Sequence, residues 1–403
     1  MNKEDETLIK TFFSSNSYAN NTRILYELSL RRYSQFHQLS LEELIQEAEK
    51  EEEQGIRKRR RRIKSRITAF KVQLEEEEHK SLSTVKNYIS AIRTFYDFYD
   101  VTPPKIKFPK GMSCLDKNYG RLLKREDIRK MCDAGSTRAR AVIYTLALTG
   151  LSQAEMRNLT IAQLLTAASQ VLKQQVNTVE EFINLEEKLN DEILTLHITR
   201  EKVHHRYFTF LPPEATRQII AYLRERISLP DGRLHPSNPK TKGKLFLTVS
   251  GNPMSVYSAR MLIIRCGRNA GFQTSEEMEY SYWRGHALRK YFISTIKNKT
   301  GDSELAEWLA GHKPPYTDET YWYKDEEDIK KRYIKALEYL SIDEGRINSM
   351  ESPEYREVMK HLSGVRWVLD LLDEDPIFRE AAKKAWKRRR LDSNIDSKKH
   401  IYS

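Results

Sequence analysis

One region of this chain has apolar residues at every second position, whereas the rest has mostly helical spacing. This single interruption limits the folds that the chain can adopt. Near the middle, Leu194, Leu196 and Ile198 alternate with polar residues, and Phe208 and Phe210 alternate beyond the charged segment REKVHHR. Alternation every second residue predicts two strands in a β-hairpin, with REKVHHR at its tip. The rest of the chain keeps mostly helical spacing. We therefore expect a mainly α-helical protein of the α+β class with one small β-sheet.

The first hundred residues have helical patterns. In SLSTVKNYISAIRTFYDFY, Ser83 is a candidate N-cap. The apolar residues after it share one helical face: Val85, Tyr88, Ile89, Ile92 and Tyr96. The Pro- and Lys-rich stretch VTPPKIKFPKGMSCLDKNYG then interrupts the pattern. The predicted organisation has four parts: a helical domain at 1–102, a linker at 103–121, a second domain at 122–342 and a basic helical tail at 343–403.

A basic run, Arg57 to Arg62, lies between two acidic blocks. Apolar residues continue through this region at helical spacing: Ile63, Ile67, Phe70 and Leu74. That spacing predicts an amphipathic helix with the basic run on its solvated face. Such a face serves only solubility, acts as a localisation signal, or binds DNA phosphates. For the last alternative, the candidate DNA contacts of this domain are Arg57, Arg59, Arg60, Arg61, Arg62, Lys64, Lys86 and Arg93.

Composition narrows the classes of protein. Lysine and arginine number 69 against 57 acidic residues, a net charge of +12 that fits nucleic-acid binding but also many other basic proteins. No apolar run approaches the roughly 18 residues of a membrane-spanning helix, and the N-terminus has no apolar signal region. The 3 cysteines lie far apart. We therefore expect a reducing, cytoplasmic location, with no metal framework and no membrane partner.

Five short motifs follow one another in the second domain. They are TGLSQAE with Glu155, Lys202 at the hairpin tip, HALR with His286 and Arg289, AGH ending at His312, and Tyr321 nine residues later. Their order and final offset resemble the tyrosine recombinase family, whose pattern runs TGLR-x-x-E, a β-turn lysine, H-x-x-R, LGH and a tyrosine. The phrases TREKVHHRYFTFLPPEA and YWYKDEEDIKKRYIKALEYLSI look more specifically like integrases of archaeal mobile elements.

This resemblance implies a recombinase catalytic fold, a helical core-binding domain of the SAM-like kind, and catalysis without a metal or nucleotide. It also implies roles for single residues: Tyr321 as nucleophile, Arg289 as phosphate clamp, His286 as general base or clamp, His312 as hydrogen-bond donor to the phosphate, Lys202 as proton donor to the leaving oxygen, and Glu155 as a residue that orients its neighbours. Tyr316 and Tyr323 are the alternative nucleophiles, and Arg200 and Arg206 are the alternatives to Lys202.

One motif departs from the family pattern. The family's first arginine aligns with Ser152, or with Gln153 as in some archaeal relatives, and neither side chain is cationic. Losing a cation that stabilises the transition state costs about 10²–10³ in rate. Three explanations are open. Another arginine replaces it (Arg157, Arg138 or Arg140), the enzyme is weakened or inactivated, or the motif is divergent and Gln153 donates neutral hydrogen bonds.

The resulting expectation is a DNA recombinase or integrase of a mobile element. It would act on double-stranded DNA as a tetramer on paired sites, with residues 326–340 or the tail exchanged between subunits. The altered motif favours a rival, a non-catalytic DNA-binding protein that keeps the recombinase fold. A type IB topoisomerase shares the chemistry, but the core-binding domain and the integrase-like phrases argue against it. The target DNA sequence, and the choice among integration, excision and transposition, are not determined by the sequence.

Overall fold

The computed structural model describes residues 3–109, 122–200, 205–274, 281–312 and 325–343. These residues belong to two compact units, one within residues 1–120 and one beginning at residue 121. In the described ranges, no helix has the length and apolar character needed to cross a bilayer. The predicted tail at 344–403 and most of the predicted linker lie outside the described residues.

The first unit is helical. Its elements are α1 (Lys3–Ser14), α2 (Asn20–His37), α3 (Leu41–Glu53), α4 (Arg62–Val72) with a π-helical turn at Gln73–Glu77, and α5 (Leu82–Phe98). All five residues of the predicted apolar face of α5 are buried. The N-cap prediction was wrong by two positions, because Ser81 caps the helix by accepting a hydrogen bond from the backbone N–H of Thr84 at 3.3 Å. An aromatic cluster fills the core, with Tyr33 and Phe70 in edge-to-face contact.

The basic run is not a helical face, which corrects the expectation for residues 57–61. Helix α4 begins only at Arg62, and the run precedes it as a turn. The physical reason is the acidic end of α3. Arg61 forms an ion pair with Glu52, and the Glu51 carboxylate accepts the backbone N–H of Arg62 at 2.8 Å. A carboxylate at the start of α4 is favourable because the first N–H groups of a helix lack partners within it.

Within the described ranges, the second unit contains eleven α-helices, a short 3₁₀ helix at Pro239–Thr241 and the hairpin. The elements are α6 (Arg125–Asp133), α7 (Thr137–Thr149), α8 (Gln153–Asn158), α9 (Ile161–Leu172), α10 (Val179–Asn184), α11 (Glu186–Leu189), β1 (Leu194–Arg200), β2 (His205–Leu211), α12 (Pro213–Ser228), α13 (Val256–Asn269), α14 (Gly285–Thr300), α15 (Ser303–Leu309) and α16 (Glu326–Leu340). The described chain is thus mainly α with a two-stranded sheet, as the pattern of periods predicted.

Helix α7 is the centre of this unit. Every residue from Ala141 to Thr149 is buried. A helix that is apolar on all sides must be surrounded by other elements, and α7 packs against α6, α12, α13, α14 and β2. Its last turn therefore has a fixed position relative to α14 and the hairpin.

The predicted hairpin is confirmed. Strands β1 and β2 pair antiparallel, with Leu194 opposite Leu211 and Arg200 opposite His205. The alternation of apolar and polar residues does not mark one exposed face on β2, where residues 207–211 are all buried. Helices α7 and α15 both pack against β2 while α9 packs against β1, so the sheet is covered more fully than an isolated hairpin.

Three side chains hold the end of α16 and the residues that follow it. Arg129 and Tyr291 donate hydrogen bonds to the carbonyl oxygens of Ile342 (2.6 Å) and Leu340 (3.0 Å). The carboxylate of Glu214 accepts the N–H of Ile342 at 2.9 Å. Burial, and then the charge of the neighbouring Asp343, raise the pKa of Glu214 to about 7. Glu214 therefore binds a proton more tightly in the folded chain than in the unfolded one.

Replacing Glu214 with glutamine should change the pH dependence of stability. Because the folded pKa is raised, the stabilisation from protonated Glu214 is fully present below about pH 4.3 and is lost as pH rises through about 7. E214Q stays neutral at every pH, so it should gain about 3 kcal/mol in unfolding free energy relative to wild type between these limits. Urea titrations followed by tryptophan fluorescence measure this, since all 5 tryptophans lie beyond residue 121. A difference between the two proteins that stays constant with pH would contradict the assignment.

Candidate active site

The TGLSQAE segment forms the turn between α7 and α8. Gly150 ends α7 in the left-handed region at φ 70°, where a Cβ would lie 2.5 Å from the ring of Phe292. Only glycine fits both the backbone conformation and this contact. Ser152 then begins α8 as its N-cap, and its hydroxyl accepts the N–H of Glu155 at 3.3 Å. The Glu155 carboxylate in turn accepts the N–H of Ser152 at 2.6 Å, which completes a capping box.

Glu155 lies between two guanidinium groups. Its Oε1 is 3.5 Å from Nε of Arg200, and its Oε2 is 3.6 Å from Nη1 of Arg289. The side chains of Glu155 and Arg289 are 5% and 6% exposed. A buried carboxylate is stable as an anion only beside positive charge or hydrogen-bond donors. The two arginines supply that charge, and Glu155 holds both of them in one place.

The two arginines also bind the backbone. Arg289 donates to the carbonyl oxygens of Gly150 (2.6 Å) and Ala310, and Arg200 donates to that of Gly311 (2.6 Å). Burial lowers the pKa of Arg289, and the Glu155 carboxylate opposes that change. These contacts join α8, β1, α14 and the end of α15, so two motifs separated by more than a hundred residues meet here.

Tyr207 of β2 lines the same site. Burial, and then the charge of Glu155, raise the pKa of the Tyr207 hydroxyl well above its usual value. The Tyr207 ring lies under the turn at Gly311, where a Cβ would lie 2.5 Å from it. Gly311 has φ 64°, so the turn before His312 requires glycine for two independent reasons.

The structure separates the two candidates for the altered position. The Ser152 hydroxyl is occupied as a helix cap, whereas the Gln153 side chain packs against the first residue of α14, where a Cβ on Gly285 would lie 2.5 Å from Cδ of Gln153. Among the described residues, the buried Oε1 atom of Gln153 has no hydrogen-bond partner. His286 follows Gly285 and is exposed. Position 153 therefore adjoins the motif that carries His286 and Arg289.

The three arginines considered as replacements bind elsewhere. Arg157 donates to the carbonyl oxygen of Met254 at 3.5 Å, Arg138 to that of Leu247 at 3.3 Å, and Arg140 to that of Cys132 at 3.4 Å. Glu155 instead has Arg200 as its second cationic neighbour. Sequence reasoning named Arg200 only as an alternative to Lys202. The sequence feature that could have identified Arg200 is its place at the end of a predicted strand, as the first residue of the charged segment REKVHHR.

His312 is bound to an acidic neighbour. Its Nδ1 atom forms a hydrogen bond with Glu307 of α15, and Lys297 of α14 forms an ion pair with the same carboxylate. Burial alone would raise the pKa of Glu307, but the hydrogen bonds from Lys297 and His312 outweigh burial and lower it. An ionised Glu307 can only accept a proton from Nδ1, so Nε2 is the ring nitrogen of His312 that this contact does not use.

Several predicted site residues lie outside the described residues. They are Lys202 and the three candidate nucleophiles Tyr316, Tyr321 and Tyr323. In the sequence, the described residues that flank Lys202 are Arg200 and His205 on the hairpin, and the last described residue before the three tyrosines is His312. The structure thus brings together Gln153, Glu155 and Arg289, with Arg200 as the addition to the predicted set.

No family profile and no curated protein sequence match this chain. Among solved structures, it is similar to that of XerA recombinase, at 17% sequence identity over 83% of this chain and 98% of the other, with a TM-score of 0.34. The structure of XerH site-specific recombinase in a post-cleavage complex with difH substrate has 18% sequence identity over 66% of this chain and 68% of the other, with a TM-score of 0.43. The structure of lambda integrase (residues 75–356) bound to DNA has 11% sequence identity over 80% of this chain and 99% of the other, also with a TM-score of 0.43.

Replacing Glu155 with glutamine should destabilise the second unit. The amide keeps an oxygen that accepts the Ser152 N–H but removes the charge between Arg200 and Arg289. Breaking such a buried pair costs about 3 kcal/mol of unfolding free energy, because the partner charges stay buried. Denaturant titration of E155Q measures the loss. E187Q, at an exposed position of α11, is the matched control and should change stability by less than about 0.5 kcal/mol. Equal stability of the two variants would contradict the charge assignment.

Proposed function

We propose that this chain is a site-specific DNA recombinase of the tyrosine class. The observation that carries the proposal is the convergence of separate motifs on one buried carboxylate. Glu155 contacts Arg289 at 3.6 Å, and the turn that these contacts anchor leads directly into His312. Motifs recognised in order along the sequence also meet in space, as a shared reaction centre requires.

The proposed reaction exchanges one phosphate ester for another. The Tyr321 phenolic oxygen attacks the scissile phosphorus, the Oη–P bond forms, and the P–O5′ bond breaks. The phenolic proton passes to His286, and Lys202 gives a proton to the leaving 5′-oxygen. Attack by the 5′-hydroxyl of another strand then reverses these bond changes and restores the tyrosine. The ester stores the bond energy, so the exchange needs no nucleotide.

The cationic and donor groups have a common task in this mechanism. Negative charge grows on the non-bridging phosphate oxygens in the transition state, and fixed donors directed at that charge lower the barrier. Following the sequence resemblance, we assign Arg289 to this charge because a guanidinium is always cationic. His312, held through Nδ1 by Glu307, offers Nε2–H to the same oxygens when its ring is protonated. Tyrosine needs such help because its hydroxyl has a pKa near ~10.

The first unit supplies a basic surface for duplex DNA. Arg57, Arg59 and Arg60 are exposed in the turn before α4. Lys64 and Lys86 are also exposed, on α4 and α5. By contrast, Arg61 forms an ion pair with Glu52, and Arg62 forms one with Glu47 at 3.0 Å. We therefore assign phosphate contacts to these residues before Arg61 and Arg62, whose charges are already balanced by glutamates.

The finer form of the proposal follows the sequence resemblance. The chain would be an integrase of an archaeal mobile element that acts as a tetramer on paired DNA sites. One observation favours the rival function, a DNA-binding protein without catalysis: neither Ser152 nor Gln153, the two positions where the family's first arginine can align, carries a cationic side chain. Formation of a covalent protein–DNA adduct separates these two functions.

Replacing Tyr321 with phenylalanine should abolish adduct formation. The test uses duplexes selected from a random-sequence pool for tight binding to this chain. Each duplex carries a nick, and the position of the nick is varied along the strand. When cleavage occurs close to the nick, the short fragment with the free 5′-hydroxyl dissociates, and the covalent intermediate cannot be religated. Wild type should accumulate a covalent adduct on denaturing gels, and Y321F should give none while binding the duplex with unchanged affinity. Y316F and Y323F are the matched controls and should retain the adduct. Tight binding by wild type with no adduct at any nick would support the non-catalytic rival.

Removing the exposed arginines of the first unit should weaken DNA binding in a salt-dependent way. Each lost phosphate contact lowers the slope of log K against log salt by about 0.9. R57Q/R59Q/R60Q should therefore lower that slope by about 2 to 3 in fluorescence anisotropy titrations with a random-sequence duplex. K173Q/K188Q/K240Q makes the same change in net charge at exposed sites of the second unit. An equal slope change in both triple variants would show that only net charge matters.

A further inference from the structure

We propose that Arg200, at the end of β1, makes the phosphate contact that an arginine at position 152 or 153 makes in the family pattern. The inference rests on the recombinase function proposed above and adds a catalytic residue to it. In this view, the first arginine has not been lost from the site. It enters from the hairpin strand instead of from the start of α8.

The first support is the shared carboxylate. Arg200 and Arg289 approach the two oxygens of Glu155, at 3.5 Å and 3.6 Å. A carboxylate that holds two guanidinium groups places them side by side, in the arrangement that can grip a phosphate from two directions. The three arginines that the sequence suggested as replacements donate instead to the carbonyl oxygens of Met254, Leu247 and Cys132.

The second support is exposure. The side chain of Arg200 is 26% exposed, whereas that of Arg289 is 6% exposed. Arg289 uses both terminal nitrogens on the carbonyl oxygens of Gly150 and Ala310. Arg200 uses Nη1 on Gly311, and among the described residues its Nη2 makes no hydrogen bond. Of the two guanidinium groups, that of Arg200 is therefore the more accessible to a partner from solvent.

The third support is the charge balance of the cluster. Glu155 and Arg289 alone cancel to a net charge of zero, so they provide no net attraction for a phosphodiester. Gln153 adds hydrogen-bonding capacity but no charge. Arg200 brings the net charge of the cluster to +1. A phosphodiester of charge −1 is the matching ligand.

The test measures single-turnover adduct formation on the selected, nicked duplex. R200A should slow formation by roughly 100-fold, the effect of losing one transition-state donor. R224A is the matched control, because Arg224 forms an ion pair with Glu186 on the surface of the same unit, and it should react at the wild-type rate. Adding Q153R to R200A should recover most of the rate, because it restores a guanidinium next to Gly285.

A neutral substrate distinguishes phosphate contact from a role in holding the Gly311 turn. A methylphosphonate at the cleaved position replaces one non-bridging oxygen and removes the charge that Arg200 would neutralise. On this duplex, R200A should react within roughly threefold of wild type, because the transition state no longer carries the charge that Arg200 would stabilise. A rate for R200A that remains depressed on the neutral duplex would overturn the inference and leave a positioning role.

The outcomes separate this inference from the proposed function. Adduct formation by wild type together with an equally fast R200A would overturn the inference and keep the recombinase function. Binding by wild type without any adduct would overturn both. A slower rate of adduct formation in R200A, recovered both by adding Q153R and by using the methylphosphonate duplex, would support both.

Discussion

The Glu155 carboxylate is the interaction on which the candidate active site depends. It is buried, and it is balanced by Arg200 and Arg289 at 3.5 Å and 3.6 Å. The same side chain caps α8 through the Ser152 N–H. Because a buried anion requires its partners, the ends of β1, α8 and α14 cannot move apart without leaving charge unpaired. The carbonyl oxygens of Gly150, Ala310 and Gly311 accept hydrogen bonds from both terminal nitrogens of Arg289 and from Nη1 of Arg200.

This arrangement links the core to the chemistry. Helix α7 is buried on all sides, and its C-terminal Gly150 fixes where α8 begins. The arginine contacts to residues 310 and 311 then fix the turn that leads into His312. His312 is held in turn by Glu307, and Glu307 by Lys297. A set of polar contacts thus positions donors at the surface of a unit whose interior is packed with apolar side chains.

Much of the fold could be predicted from the sequence because the signals are local. The hairpin follows from alternating apolar residues, and the buried face of α5 follows from helical spacing. The start of α4 could not be predicted, because Glu51 and Glu52 of a neighbouring helix determine it. The position of Arg200 beside Glu155 could not be predicted either. Nothing in the spacing of residues 155, 200 and 289 indicates that they share one carboxylate, since that contact depends on how β1 packs beside α8.

The central claim is that this cluster serves a tyrosine that attacks DNA. The most direct measurement is mass spectrometry of the peptide left attached to DNA after reaction with a nicked duplex. Trypsin should release residues 300–324 as one peptide, because Lys313 precedes a proline, and this peptide contains all three candidate tyrosines. The account predicts a nucleotide attached to Tyr321. Attachment to Tyr316, Tyr323 or a residue outside this peptide, or a protein that binds DNA without attachment, would contradict it.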